Sequence, residues 1–132
     1  MNYAFFLLPL SVVSKSNKGL DENGSFIEFE GNRIYRLHVV GSVVTVDINE
    51  DGRSGYAIID DTSSSILAHF QSTLIKEIEK LARGDLVEVV GYIDIYNESV
   101  TLSMVNIKGI SVERYAHNKI ESIKNMKALG VK

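Results

Sequence analysis

The chain has 132 residues with no cysteine and no tryptophan, 45% apolar and 23% charged residues, and a formal charge of −3. That composition fits one globular domain able to bury its own core, and it excludes disulfides, thiolate metal sites and a cysteine nucleophile. The acidic balance argues against tight nucleic-acid binding by this chain alone, because neutralised phosphate supplies much of such affinity.

The opening run MNYAFFLLPLSVV has no basic residue before it, is interrupted by Pro9 and lacks a small-residue cleavage pattern. It reads as an intracellular apolar segment packed on the rest of the fold rather than a signal peptide, and it is too short to span a bilayer. Residues 14–25, SKSNKGLDENGS, are polar, carry Gly19 and Gly24, and read as a mobile loop. FIEF and IYRL then form a hairpin turning at Gly31-Asn32. A long apolar strand follows from Ile34 to Ile48, with Gly41 at its middle, where a barrel corner needs a bend.

The turn NEDGRSG leads to a second strand, GYAIIDD, and then to a third, SSILAHFQ. TLIKEIEKLA is helical, with Thr73 as its cap. Leu74, Ile75, Ile78 and Leu81 make a stripe on it that plugs the barrel's end, and Gly84 closes it in a left-handed cap. The fourth strand, LVEVVGYIDIY, repeats the mid-strand glycine at Gly91; the fifth is SVTLSMVNI, after the tight turn Tyr96-Asn97-Glu98-Ser99.

Five strands with a helix between the third and fourth is the strand order of an OB-fold, a small Greek-key barrel that commonly binds oligonucleotides. The expected fold is therefore all-β: an OB-fold barrel at residues 31–110, an apolar segment and loop at 1–30 packed on it, and a helix at 111–132. Ser111 is the N-cap of that last helix. Its stripe Val112, Ala116, Ile120 and Ile123 is widened by Tyr115, Met126 and Leu129, with Asn118, Lys119, Glu121, Ser122 and Asn125 opposite. Since the barrel already has a plug, this stripe needs a surface of its own, either this barrel or a helix of another chain.

The histidines His38, His69 and His117 lack metal-ligand spacing, and Asp60-Asp61 reads as a turn bonding its own backbone. With no phosphate loop, dinucleotide fingerprint or nucleophile elbow, no enzyme, cofactor, metal, small-molecule substrate or membrane partner is expected. The binding candidates are aromatic, since a base stacked on a ring gains about 1–3 kcal/mol whatever its identity. Phe70 and Tyr96 come first, then Tyr56 and His69, which alternate with apolar neighbours. Arg36, His38 and Arg53 lie where phosphates would pass. Each has a structural counterpart: Phe70 as core, the charged residues as a solvated face.

Residues 33–129 resemble the OB-fold of the middle subunit of replication protein A, its archaeal relatives and the related telomere-capping subunit. The resemblance rests on V-V-G-S-V-V, Y-A-I-I-D-D-T, a third strand ending in an aromatic, R-G-D-L-V-E-V-V-G-Y, and the trailing helix. It implies an intracellular, non-catalytic subunit that binds single-stranded DNA in replication, repair or recombination, with Phe70 and Tyr96 at the stacking positions. It further implies assembly with sister subunits through the last helix, by Val112, Tyr115, Ala116, Ile120, Ile123 and Met126. The chain departs from the family in lacking tryptophan and in placing Glu98 where the family often has basic residues. Two other readings stand beside this one: an assembly subunit with negligible DNA contact of its own, and an RNA-binding OB domain, because stacking does not distinguish ribose from deoxyribose.

Overall fold

The computed structural model describes residues 5–130, so the first four residues of the N-terminal segment and the last two of the C-terminal one lie outside it. In chain order the elements are β1 (Phe6–Leu7), α1 (Leu10–Lys15), β2 (Asn17–Asp21), β3 (Gly24–Phe29), β4 (Asn32–Ile34), β5 (Arg36–Ile48), β6 (Ser54–Asp60) and β7 (Ser65–Gln71). A 3-10 turn at Ser72–Leu74 runs into α2 (Ile75–Glu79), followed by β8 (Leu86–Tyr96), β9 (Ser99–Gly109) and α3 (Val112–Gly130).

β5 is long because it serves two neighbours. Residues 36–42 pair antiparallel with β8, and residues 42–48 pair antiparallel with β6. One strand thus turns the corner of a barrel that runs β5-β6-β7-β9-β8 and closes back on β5. Alternate residues point inward, among them Leu37 and Val39, Ala57 and Ile59, Ala68 and Phe70, Val87 and Val89. Both mid-strand glycines sit where backbones crowd. A Cβ on Gly41 would lie 2.6 Å from the Asp60 carbonyl oxygen, and one on Gly91 would lie 2.4 Å from that of Ser103. Gly91 also follows a register shift in the β8–β9 pairing. Gly91→Ala must push two backbones apart, so its urea midpoint should fall by an amount worth about 1–3 kcal/mol; an unchanged midpoint would refute the crowding.

The plug is present but short. Leu74 and Ile78 are buried, and Ile75 and Leu81 pack against the core more loosely. Thr73 lies inside the 3-10 turn, and neither helical turn has a side-chain cap. Gly84 does adopt a left-handed conformation (φ +92°), yet beyond the helix, in the turn where its N–H donates to the Val43 carbonyl.

The polar stretch expected to be a loop is instead a strand. β2 pairs along its whole length with β3, from Asn17↔Glu28 to Asp21↔Gly24. Asp21 explains much of it: its carboxylate accepts the Asn23 N–H inside the turn (2.8 Å), Arg33 Nη1 (2.8 Å) and the Tyr35 hydroxyl (2.6 Å). Those bonds hold the Asp21 carboxyl below its ordinary pKa, the Tyr35 bond foremost. The β3–β4 turn uses Glu30 and Gly31, both at positive φ, one residue before the expected position.

α3 starts where expected, its Arg114 N–H bonded to the Ser111 hydroxyl at 3.1 Å. Met126 and Leu129 near its end pack on the core, but over its first three turns the polar side faces in. Asn118 and Ser122 are buried against the barrel, whereas Val112, Ile120 and Ile123 are 67%, 56% and 44% exposed.

Candidate nucleic-acid groove and partner face

Strand register alone assembles one surface. Arg36 pairs with Tyr92, Tyr92 with Ser103, Ser103 with His69, His69 with Tyr56, and Tyr56 with Asp47. Residues directly opposite in neighbouring strands point to the same side of a sheet, so these six form a line across the outer wall of the barrel. At about 4.8 Å per strand, the rings of Tyr92, His69 and Tyr56 fall within roughly 15 Å. A groove of about 390 Å3 runs beside them, walled by Asn49, Tyr56, His69, Asp94 and Ser103. Tyr96 is 70% exposed, just before the turn made by Asn97 and Glu98 at positive φ. Such a row of ring faces can stack bases or hold other flat or cationic groups.

Two of the expected site residues, Tyr56 and His69, are thus direct cross-strand partners on the groove, and Tyr96 lies on the outer face of β8 two residues beyond Asp94. Phe70 lies against the groove's wall but offers it no ring face: its side chain is 1% exposed within the core. Parity decides this, since Ile66, Ala68 and Phe70 share the inner face of β7 while His69 and Gln71 face out. That parity was available in the apolar pattern of the strand. Tyr92 was missed for the same kind of reason; it alternates with Asp94 and Tyr96 on the outer face of β8.

Arg36 is in the row but does not point a lone cation at solvent. Its guanidinium lies 5.0 Å from the Tyr92 ring centroid and 5.6 Å from that of Phe5, and the two rings meet edge-on at 6.0 Å. His38 lies off the groove altogether: its Nε2 is 3.1 Å from Glu88 beneath α3. Arg53 is exposed on the turn bordering the groove, its N–H held by the Asp51 carboxylate at 2.9 Å. Around it stand Asp47 and Asp94 on the strands and Glu50 and Asp51 on the bordering turn, all exposed. The groove is acidic.

The second surface is α3. Under it the outer wall of the barrel is polar, which is why the polar side of the helix faces in. Glu88, 7% exposed, is the hub. Its carboxylate accepts Lys108 Nζ at 2.9 Å, Arg114 Nη2 at 3.0 Å and Asn118 Nδ2 at 3.3 Å, besides facing His38. Burial works against its ionisation, but the bonds from Lys108, Arg114 and His38 outweigh it and hold the pKa down at about 2. Further along, Lys119 donates to the Asp61 carbonyl oxygen, and Asn125 Nδ2 donates to the Leu7 carbonyl at 3.0 Å.

Asp61 belongs to the same scaffold. Its carboxylate accepts the Leu10 N–H at the start of α1 (2.8 Å) and the Ser63 and Ser64 N–H groups. Burial raises its pKa, yet those bonds prevail and leave it below the ordinary value. The expected self-bonded turn is there, and it also ties α1 and α3 to the barrel. Of the six expected partner residues, Val112, Ala116, Ile120 and Ile123 face outward, whereas Tyr115 and Met126 are turned partly toward the barrel. A helix whose polar side is bonded down has its apolar flank left over, and that flank is continuous from Val112 to Ile123.

Among the described residues no group of three His, Asp or Glu could hold a metal ion, and no helix is long and apolar enough to cross a membrane. No protein-family model and no curated protein matches the sequence. Solved structures do match. The chain is similar to one in the Stn1–Ten1 complex of S. pombe, with a TM-score of 0.84 and 18% identity over 96% of this chain and 94% of that one. It is similar also to a chain of a replication protein A heterotrimer bound to single-stranded DNA, with a TM-score of 0.77 and 11% identity over 96% and 98%. An asparaginyl-tRNA synthetase of Entamoeba histolytica shares less, with a TM-score of 0.53 and 12% identity over 58% of this chain and 21% of that one. The chain therefore has the OB-fold. Its likeness to the first two takes in the N-terminal sheet and α3 as well as the barrel.

Proposed function

We propose that the chain is a non-catalytic OB-fold subunit of an intracellular assembly of the replication protein A or Stn1–Ten1 kind, acting on single-stranded DNA and joined to a partner subunit through the outward flank of α3. One observation carries this reading: α3 spends its polar side on Glu88, Asp61 and Leu7 and leaves Val112, Ala116, Ile120 and Ile123 exposed. A contiguous apolar flank on a firmly anchored helix is a docking surface before it is anything else. The two solved complexes whose chains share the whole architecture support it. Residues 31–110 would then supply base contacts, 111–132 assembly, and 1–30 a brace for the barrel.

In this reading Tyr56, His69 and Tyr96 stack bases, and the partner brings the cations that the acidic groove lacks. Ile120→Glu with Ile123→Glu places two charges on the flank without touching the barrel. The double variant should keep its circular-dichroism spectrum and lose the partner; retention of the partner would sink the assignment. Within the assembled complex, Tyr56→Ala with Tyr96→Ala should weaken oligothymidine binding by about 10-fold or more, given about 1–3 kcal/mol per stacked base. Anisotropy at two salt concentrations, with oligouridine in parallel, measures it; unaltered affinity would remove the groove from the nucleic-acid path.

A further inference from the structure

The charge on the groove is the opposite of what a phosphate chain needs. Asp47 lies in register with Tyr56, Asp94 walls the groove beside His69, and Glu50 and Asp51 occupy the turn that borders it. Arg53 is the cation that turn carries. Against Arg36 and Arg53, the four carboxylates leave the face with a net excess of acid, in a chain whose formal charge is −3. A single strand laid here alone would set its phosphates against carboxylates within a Debye length, about 8 Å at physiological salt.

Exposed ring faces interleaved with carboxylates are instead complementary to lysine and arginine side chains. A ring face attracts the cation, and a carboxylate accepts its N–H groups, in a fork when the cation is arginine. The molecule already makes this pairing at the end of the same row, where the Arg36 guanidinium packs against the rings of Tyr92 and Phe5. It does so again on the N-terminal sheet, where Arg33 lies 4.5 Å above the Phe26 ring and 2.8 Å from Asp21. The distance from Tyr56 to Tyr92, three strand steps or about 14 Å, is the length of about four extended residues.

We infer that this groove receives an extended protein segment bearing lysine and arginine, whose cations sit over Tyr56 and pair with Asp47 and Asp94, alongside the Arg36–Tyr92 stack the chain makes for itself. The surface is separate from the α3 flank, so the inference stands or falls independently of assembly. The segment fills the groove when no single strand does, so the base stacking proposed above is the state in which it is displaced, and the two compete for the same rings.

The test is anisotropy of a fluorescein-labelled peptide of three Gly-Arg-Ser-Lys repeats, titrated with the full chain at low salt. Three variants accompany it: Asp47→Asn with Asp94→Asn, Tyr56→Ala, and, as an equal-charge control away from the groove, Glu22→Gln with Glu113→Gln. Saturable binding should weaken by about 10-fold in the aspartate variant and by about 5-fold in Tyr56→Ala, while the control stays within about twofold. Unlabelled oligothymidine should compete. Equal weakening in the control would reduce the effect to net charge and overturn the inference. So would a chain that ignores the peptide at about 100 µM but binds labelled oligothymidine, more tightly still once Asp47 and Asp94 are neutralised.

Discussion

Phe70→Ala should cost about 3–5 kcal/mol of stability, the range for emptying a core site of a large aromatic. The ring is 1% exposed and packs where a Cβ on Gly55 would come within 2.7 Å of it. It is one of the largest fully buried side chains of the core cluster, so its removal leaves a large cavity. The fold-level consequence separates two roles that the sequence leaves open for this residue. If Phe70 is core, chemical denaturation shows the loss, and whatever fraction remains folded binds oligothymidine as the wild type does. A variant of wild-type stability with weakened binding would place Phe70 on the nucleic-acid path instead.

Glu88→Gln should cost about 2 kcal/mol at neutral pH and free the first turns of α3. Glu88 has a folded pKa near 2 against an ordinary value of 4.5. At 1.36 kcal/mol per unit, that displacement corresponds to about 3 kcal/mol at most. Lys108 and Arg114 are about half exposed, so solvent screens part of it and the lower figure is the expected one. Because the folded pKa is depressed, the stabilisation is complete above about pH 4.5, the unfolded value, and disappears as the pH falls through 2. Wild type and Glu88→Gln should therefore diverge in melting temperature at pH 7 and converge near pH 2. A constant gap across that window would show that Glu88 acts by shape and hydrogen bonding rather than charge. Glutamine still accepts a bond from Asn118, so the divergence isolates the ionic share.

Strand order, both hairpin turns, the corner glycines Gly41 and Gly91 and the Ser111 cap were legible because each depends on local chemistry: period-2 burial, left-handed turn residues, or a hydroxyl ahead of a helix. β2 was not, because nothing in SKSNKGLDENGS is strand-forming by itself. Its pairing with β3 is fixed by an Asp21 carboxylate that reaches Arg33 and Tyr35 on and after a third strand. The direction of α3 was hidden for a related reason. An apolar stripe ordinarily seeks the barrel, but here the barrel offers Glu88 and free carbonyls, and Asn118, Lys119 and Asn125 answer them.

At the groove, the sequence placed Tyr56 and His69 on one face, and the register pairs them directly. It also placed Arg36 and His38 on one side of β5, correctly, but could not tell that α3 would cover the part of that side where His38 lies. Phe70 is buried and Tyr92 is exposed on the outer face of β8. In both strands the alternation of apolar residues marks the inner face, with Ile66, Ala68 and Phe70 inside β7 and Tyr92, Asp94 and Tyr96 outside β8.

The central claim is that the outward flank of α3 joins this chain to a partner. Its most direct measurement is light scattering on the tagged chain purified from its own cells under native conditions, beside the Ile120→Glu, Ile123→Glu double variant. The wild type should scatter as a stoichiometric hetero-assembly and the variant as a folded monomer of 14.7 kDa plus the tag. A variant that remains in the same assembly would contradict it, and the apolar flank would then need another explanation.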